Sequence, residues 1–203
     1  MTAILLLAST SPYRRRVLER LGLPFAVESP RVDERVQAGE EPAARALRLA
    51  HAKAAAVAAR HPQAWVLGSD QVADCGGTVL DKPGDAARCR SQLQAESGRA
   101  VHFHTAAVLM RVDPASVQEH LDLTVVRFRA LSDAEISRYV ELEAPWDCAG
   151  AFRSEGLGAA LFESIDTRDP CALIGLPLIW VATALRACGL DPLTGAGNTP
   201  AAP

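Results

Sequence analysis

The sequence has no C-x-x-C pair, no G-x-x-x-x-G-K-[ST] stretch, no stripe of basic residues and no internal repeat. Each absence narrows the function. Without a glycine–lysine phosphate loop, a P-loop kinase or GTPase is disfavoured. The five cysteines, Cys75, Cys89, Cys148, Cys171 and Cys188, are odd in number and scattered. That pattern argues against a disulfide framework or a zinc site and suits free thiols in a reducing compartment. The apolar run at residues 4–8 is too short for a signal peptide's core or a membrane span, so a cytoplasmic location is expected. The net charge of −3 is spread with both signs mixed, which speaks against nucleic-acid or membrane-surface binding. A highly anionic substrate would have to be met by locally gathered arginines and lysines.

What is present is an apolar share of 49% over 203 residues, enough for one unit divided into two lobes. A single domain is expected over residues 1–193, followed by a disordered Gly/Ala/Pro/Thr-rich tail at 194–203. Ile4 to Ala8 reads as a buried strand. Ser11-Pro12, apolar residues at helical spacing and Gly22 then outline a helix. Phe25 to Ser29 reads as a short strand, Arg31 to Glu41 as a loop, and Pro42 to Arg60 as an Ala/Leu-rich helix. Trp65-Val-Leu reads as a strand that delivers Gly68-Ser69-Asp70-Gln71 at its carboxyl end. Gly76-Gly77 marks a turn, and Asp85 caps a helix ending near Gly98. Residues 100–112 and 119–130 are strand-like. Ser132 and Glu135 form a capping box flanked by Leu131 and Ile136. A glycine-punctuated loop covers Gly150, Gly156 and Gly158, and a last helix runs from Pro177 to Cys188. Interleaved strands and helices, two of the strands consecutive, predict an α/β fold with a mixed sheet.

Three stretches carry chemistry. Ser9 to Arg16 spans a strand end and a helix start, where unpaired N–H groups, hydroxyls and an arginine fork suit phosphate. The same residues also suit a capped surface helix with solvated arginines. Asp70 lies where open α/β sheets place ligands and could accept a proton from water or hold a divalent cation. It could equally be a turn residue. Lys53 and Lys82 could neutralise a triphosphate, and Glu34 could ligate Mg2+ or Mn2+, or each could simply be solvated. In Ala149 to Gly156, Glu155 could accept two N–H bonds from a purine edge, and Tyr13 could stack on a base.

Taken in order, Leu7 to Arg15, Pro30 to Glu34, Lys53, Gly68 to Gln71, Asp81-Lys82-Pro83, Cys148 to Gly156 and Asp169-Pro170 with Gly175-Leu176-Pro177 resemble the Maf family of nucleotide pyrophosphatases. The resemblance covers roughly residues 3–193 and points to the YceF-like branch, which prefers 7-methyl-GTP. It implies a mixed twisted sheet with flanking helices, two lobes around a deep cleft and a Maf/ITPase-like fold, often dimeric. It also implies hydrolysis of a nucleoside triphosphate to the monophosphate and pyrophosphate with a divalent metal. On that pattern Asp70 accepts the proton, and Ser9, Arg14, Lys53 and Lys82 hold the substrate. Glu34 and Asp70 would hold the metal, and Tyr13, Gln71 and Glu155 would choose the base. One departure stands out: the branch usually carries Trp at the Tyr13 position, so base selectivity is expected to be weaker here. The dTTP/UTP-cleaving branch, the nearest alternative, has Arg there and Gln at the Glu155 position. A nucleotide-binding regulator of cell division with incidental hydrolysis is the alternative from another class.

Overall fold

A computed structural model describes residues 5–194. Ile4, and the expected tail beyond Thr194, lie outside them. Strand β1 (Leu5–Ala8) is apolar at every position because both its faces are covered. Leu5 and Leu7 pack under helices α1 (Pro12–Glu19) and α5 (Leu178–Ala187), while Leu6 and Ala8 pack under α2 (Pro42–Ala58). On its two sides β1 pairs in parallel with β2 (Ala26–Glu28) and β3 (Trp65–Cys75).

The rest of the sheet is antiparallel. Strand β3 pairs β4 (Thr78–Leu80) and β5 (Ala100–Arg111); β5 pairs β6 (Ser116–Phe128), and β6 pairs β7 (Phe162–Asp166). Seven strands result, in the order β2-β1-β3-β5-β6-β7 with β4 off β3, which is the mixed sheet expected. Around its second half lie α3 (Ala86–Glu96), α4 (Asp133–Glu143) and short 3-10 turns. Phe103, Phe128, Phe152 and Phe162 meet edge to face there, with ring centroids 4.8 to 5.6 Å apart. The first lobe thus gathers α1, α2 and α5, and the second gathers α3 and α4. Among the described residues no helix is long and apolar enough to cross a membrane.

Local signals set several boundaries. The Ser11 hydroxyl accepts from the Arg14 N–H to cap α1, with Pro12 at its first position. The Ser132–Glu135 capping box forms, and Leu131 and Ile136 both pack into the second core. Three elements differ from expectation. β4 follows the Gly76-Gly77 turn and β7 follows the glycine-punctuated loop, two strands for which the sequence carried no expectation. Asp70 sits inside the long β3 rather than at a strand end. The third difference has a reason in the pairing: β1 leaves β3 at Gly68 and β4 joins at Ala73. From Ser69 to Val72 that edge of β3 therefore has no strand partner, although β5 continues along the other edge.

Gly68 sets how closely α2 lies on the sheet. A Cβ there would fall 2.4 Å from the Ala50 carbonyl oxygen and 2.7 Å from the Ala54 nitrogen. Ala46, Ala50, Ala54 and Ala58 form a fully buried stripe of small side chains facing that contact. Gly68→Ala is expected to push α2 outward and cost about 1–3 kcal/mol, the usual scale of overpacking, read as a lower midpoint in urea unfolding. An unchanged midpoint would show that the helix does not rest on this glycine.

Candidate active site

Between the lobes lie two adjoining cavities of about 470 and 120 Å3. Ser9, Glu34, Lys53 and Asp70 line only the larger one, and Glu155 only the smaller. Tyr13, Arg14, Gln71 and Lys82 line both. Every residue singled out in the sequence therefore borders one continuous cleft.

At its floor, alternation along β3 turns Asp70 toward α2. There the Lys53 ammonium donates to Asp70 Oδ1 at 2.5 Å and pairs with Glu34 Oε1 at 2.9 Å. Lys53 and Asp70 are both buried, whereas Glu34 reaches in from an exposed loop. Ser69 and Gln71 turn to the opposite face. The Ser69 hydroxyl donates to the Gly175 carbonyl at 2.9 Å, which also receives the Arg14 Nε–H at 2.9 Å. Arg14 is thereby aimed along the cleft, while its neighbour Arg15 pairs with Glu19 on the outer surface of α1. Burial holds the Arg14 guanidinium below its ordinary value, and the charges of Asp70 and Glu34 draw it back up. Ser9 is buried, and its hydroxyl accepts the Ser11 N–H at 3.1 Å. Lys82 stands exposed at the rim.

The smaller cavity is shaped by a network that sequence reading missed. The Tyr13 hydroxyl donates to Asp147 Oδ2 at 3.1 Å and receives Arg153 Nε–H at 3.2 Å. Arg153 also donates to Asp147 Oδ1 at 3.1 Å and to the Glu143 carbonyl at 2.8 Å. This fastens α1 to the loop after α4. Gln71 gives its amide N–H groups to Thr105 Oγ1 and the carbonyls of Ala172 and Leu173 at 2.9 to 3.2 Å. Its amide oxygen is what it can offer a ligand. Arg45, on α2, was also missed: it lines the larger cavity, and nothing in its Ala-rich surroundings marks it in the sequence.

Among the described residues no group of three or more His, Cys, Asp or Glu side chains could hold a metal. Glu34 and Asp70 do converge on a single cation, the Lys53 ammonium. Two hard oxygen donors suit Mg2+, which commonly takes one or two carboxylates and completes its shell with water and phosphate oxygens.

A cleft with cations and one ammonium-bound carboxylate along its larger part, and an aromatic ring with acidic groups beside its smaller part, lies between the lobes of this α/β protein. The chain belongs to the family of Maf-like proteins, whose family model matches residues 4–188. It is 56% identical over 185 residues to the 7-methyl-GTP pyrophosphatase of Xanthomonas oryzae pv. oryzae strain MAFF 311018, covering 91% of this chain and 96% of that one. The protein of the same name from Bordetella pertussis is 53% identical over 94% of this chain and 95% of its own. That from Albidiferax ferrireducens is 51% identical, over 93% and 95%. Among solved structures, the Staphylococcus aureus Ham1 protein aligns with a TM-score of 0.45 and 13% identity over 76% of this chain and 88% of that chain.

The Tyr13 network predicts its own titration. Burial, chiefly, and then the Cys148 thiol push the Tyr13 hydroxyl up to about 12, against Arg153, which pulls it down. Its contribution is intact below the ordinary value of 10.0 and is lost as the pH climbs toward about 12. The tyrosinate absorbance of wild type minus Tyr13→Phe should therefore rise well above pH 10.0. A midpoint at the ordinary value would mean a solvated hydroxyl.

Proposed function

We propose that this chain is a hydrolase cleaving nucleoside triphosphates between the α- and β-phosphates, with 7-methyl-GTP as its preferred substrate. The observation that carries the reading is the Lys53 ammonium bound to Asp70 and Glu34 in a cleft that Ser9, Arg14 and Lys82 also border. The relatives that match over nearly their whole lengths bear the same activity in their names.

In this reading Ser9, Arg14, Lys53 and Lys82 hold the triphosphate and offset its charge, so that catalysis is mainly positioning and electrostatic stabilisation. Asp70 takes a proton from water while the water oxygen bonds to the α-phosphorus. The bond from that phosphorus to the bridging oxygen breaks, and pyrophosphate leaves with the electron pair. Lys53 fixes Asp70 by one oxygen and keeps the carboxylate aimed. A divalent cation held by Glu34 would add positive charge beside the phosphate oxygens when bound; Asp70 as a second ligand would lose basicity, so its two roles compete. In the smaller cavity the Tyr13 ring attracts the cationic methylated base, and Glu155 accepts its N–H groups. The five unpaired thiols suit the reducing cytoplasm.

Asp70→Asn keeps size and hydrogen bonding but loses the basic oxygen. Turnover of 7-methyl-GTP, read well below the variant's thermal midpoint, is expected to fall about 100-fold or more, the usual scale for a lost general base, and that midpoint should fall too because the buried Lys53 ammonium loses its counter-charge. Turnover close to wild type would remove Asp70 from this role. A side-by-side panel of 7-methyl-GTP, GTP, dTTP and UTP is expected to give the highest kcat/KM for 7-methyl-GTP. A preference for dTTP or UTP would assign the chain to the other branch, and tight binding without pyrophosphate release would make it a binding protein.

A further inference from the structure

Arg45 has no structural employment equal to its cost. Its side chain is 13% exposed, and its Nε atom is buried with no hydrogen-bond partner. Its ion pair is a single 3.9 Å approach to Asp81, a carboxylate that is itself 79% exposed. So distant and solvated a pair is worth little, whereas a buried guanidinium donor without a partner is costly. Its place near the start of α2 adds to the cost, because the positive end of a helix dipole disfavours a cation. Arg48, one turn away, shows what a structural arginine looks like on the same helix: it grips Glu40 with Nε at 2.5 Å and Nη2 at 2.7 Å.

Arg45 borders the larger cavity of the cleft. Arg45, Leu49 and Lys53 follow one another at four-residue spacing, so they share one stripe of α2. All three line the larger cavity, and none lines the smaller one. The stripe therefore carries two cations along the larger cavity, which Glu155 does not line.

We propose that Arg45 is a phosphate-binding residue of this cleft, forming with Lys53 a subsite for the outer, pyrophosphate end of the substrate. The proposal rests on the hydrolase reading for the direction in which the substrate lies. A phosphate oxygen in the cavity would give the Arg45 guanidinium a closer anionic acceptor than Asp81, and Arg presents a fork matched to that geometry. The subsite also has a product to hold, since pyrophosphate is the group released there.

The test is calorimetric binding of two probes, inorganic pyrophosphate and 7-methyl-GMP, to the full chain as wild type, Arg45→Ala and Arg45→Lys. Loss of a charge-assisted contact is expected to weaken pyrophosphate about 10- to 100-fold in Arg45→Ala. 7-Methyl-GMP should bind all three within about twofold, since a loss confined to one contact leaves the other end intact. Arg45→Lys should recover part of the pyrophosphate affinity by restoring the charge without the fork. Pyrophosphate binding unchanged in Arg45→Ala, equal weakening of both probes, or no pyrophosphate binding by wild type would each overturn the assignment. Should Arg45→Ala fail to fold, Arg45→Met keeps the buried stem, and the same comparison decides. Neither probe needs to be hydrolysed. If nucleotides are not cleaved but Arg45→Ala still loses pyrophosphate, the subsite stands and the hydrolase reading falls; if nucleotides are cleaved and pyrophosphate binding is unchanged, only the subsite falls.

Discussion

An ammonium and a carboxylate taken out of water together must satisfy each other, because either one left alone would be a buried, uncompensated charge. Lys53 and Asp70 meet that condition at 2.5 Å, where α2 lies close on the sheet. Lys53 stands on α2 and Asp70 on β3, so the pair bridges the contact between helix and sheet. Gly68, two residues before Asp70, removes the side chain that would hold α2 away. The buried alanines of α2 do the same from the other side. The apolar contact between α2 and the sheet is thus the scaffold for a polar one, and Glu34 is drawn in from its loop by the same ammonium.

Strand β3 then distributes roles by the two-residue alternation of its side chains. Asp70 goes to the α2 face and joins the cationic stripe. Ser69 and Gln71 go to the other face, where their partners are backbone carbonyls of the segment before α5. Gly175 has a positive φ of 112°, and its carbonyl accepts from both Ser69 and Arg14. A single strand therefore fixes the carboxylate on one side and the arginine fork on the other. It can do so because Ser69 to Val72 lack a strand neighbour along one edge, leaving space for a ligand where the next strand would otherwise run.

That gap explains what could and could not be seen in the sequence. Signals contained within a few residues were legible: the Ser11-Pro12 helix start, the Ser132–Glu135 box and the apolar β1 run all form as their local chemistry dictates. The residues brought to the cleft were legible as a set because their order along the chain resembles one family. Strand β4 and the true extent of β3 were not, since a strand that changes partners midway carries no local mark of the change. Strand β7 is short and largely exposed, so it lacks the apolar alternation that announces a half-buried strand. Arg45 and Asp147 were invisible for a different reason. The significance of Arg45 lies in its place on the cleft wall and that of Asp147 in its bond to Tyr13, more than thirty residues away, which neither spacing nor composition encodes.

Tyr13 shows how a departure from the family pattern can be weighed physically. Replacing an indole by a phenol removes stacking area, which by itself would weaken the hold on a flat, cationic base. The phenol brings a hydroxyl, and Asp147 and Arg153 receive it in a closed set of hydrogen bonds that an indole in the same pose could not complete. A ring already fixed in the free protein surrenders less rotamer freedom when a base arrives. The balance therefore depends on whether lost area outweighs gained order. Because the same network ties α1 to the loop carrying Glu155, the order gained extends from the stacking ring to the acceptor for the base's N–H groups. In the reading proposed above, selectivity is then a property of the fastened loop as much as of the aromatic face.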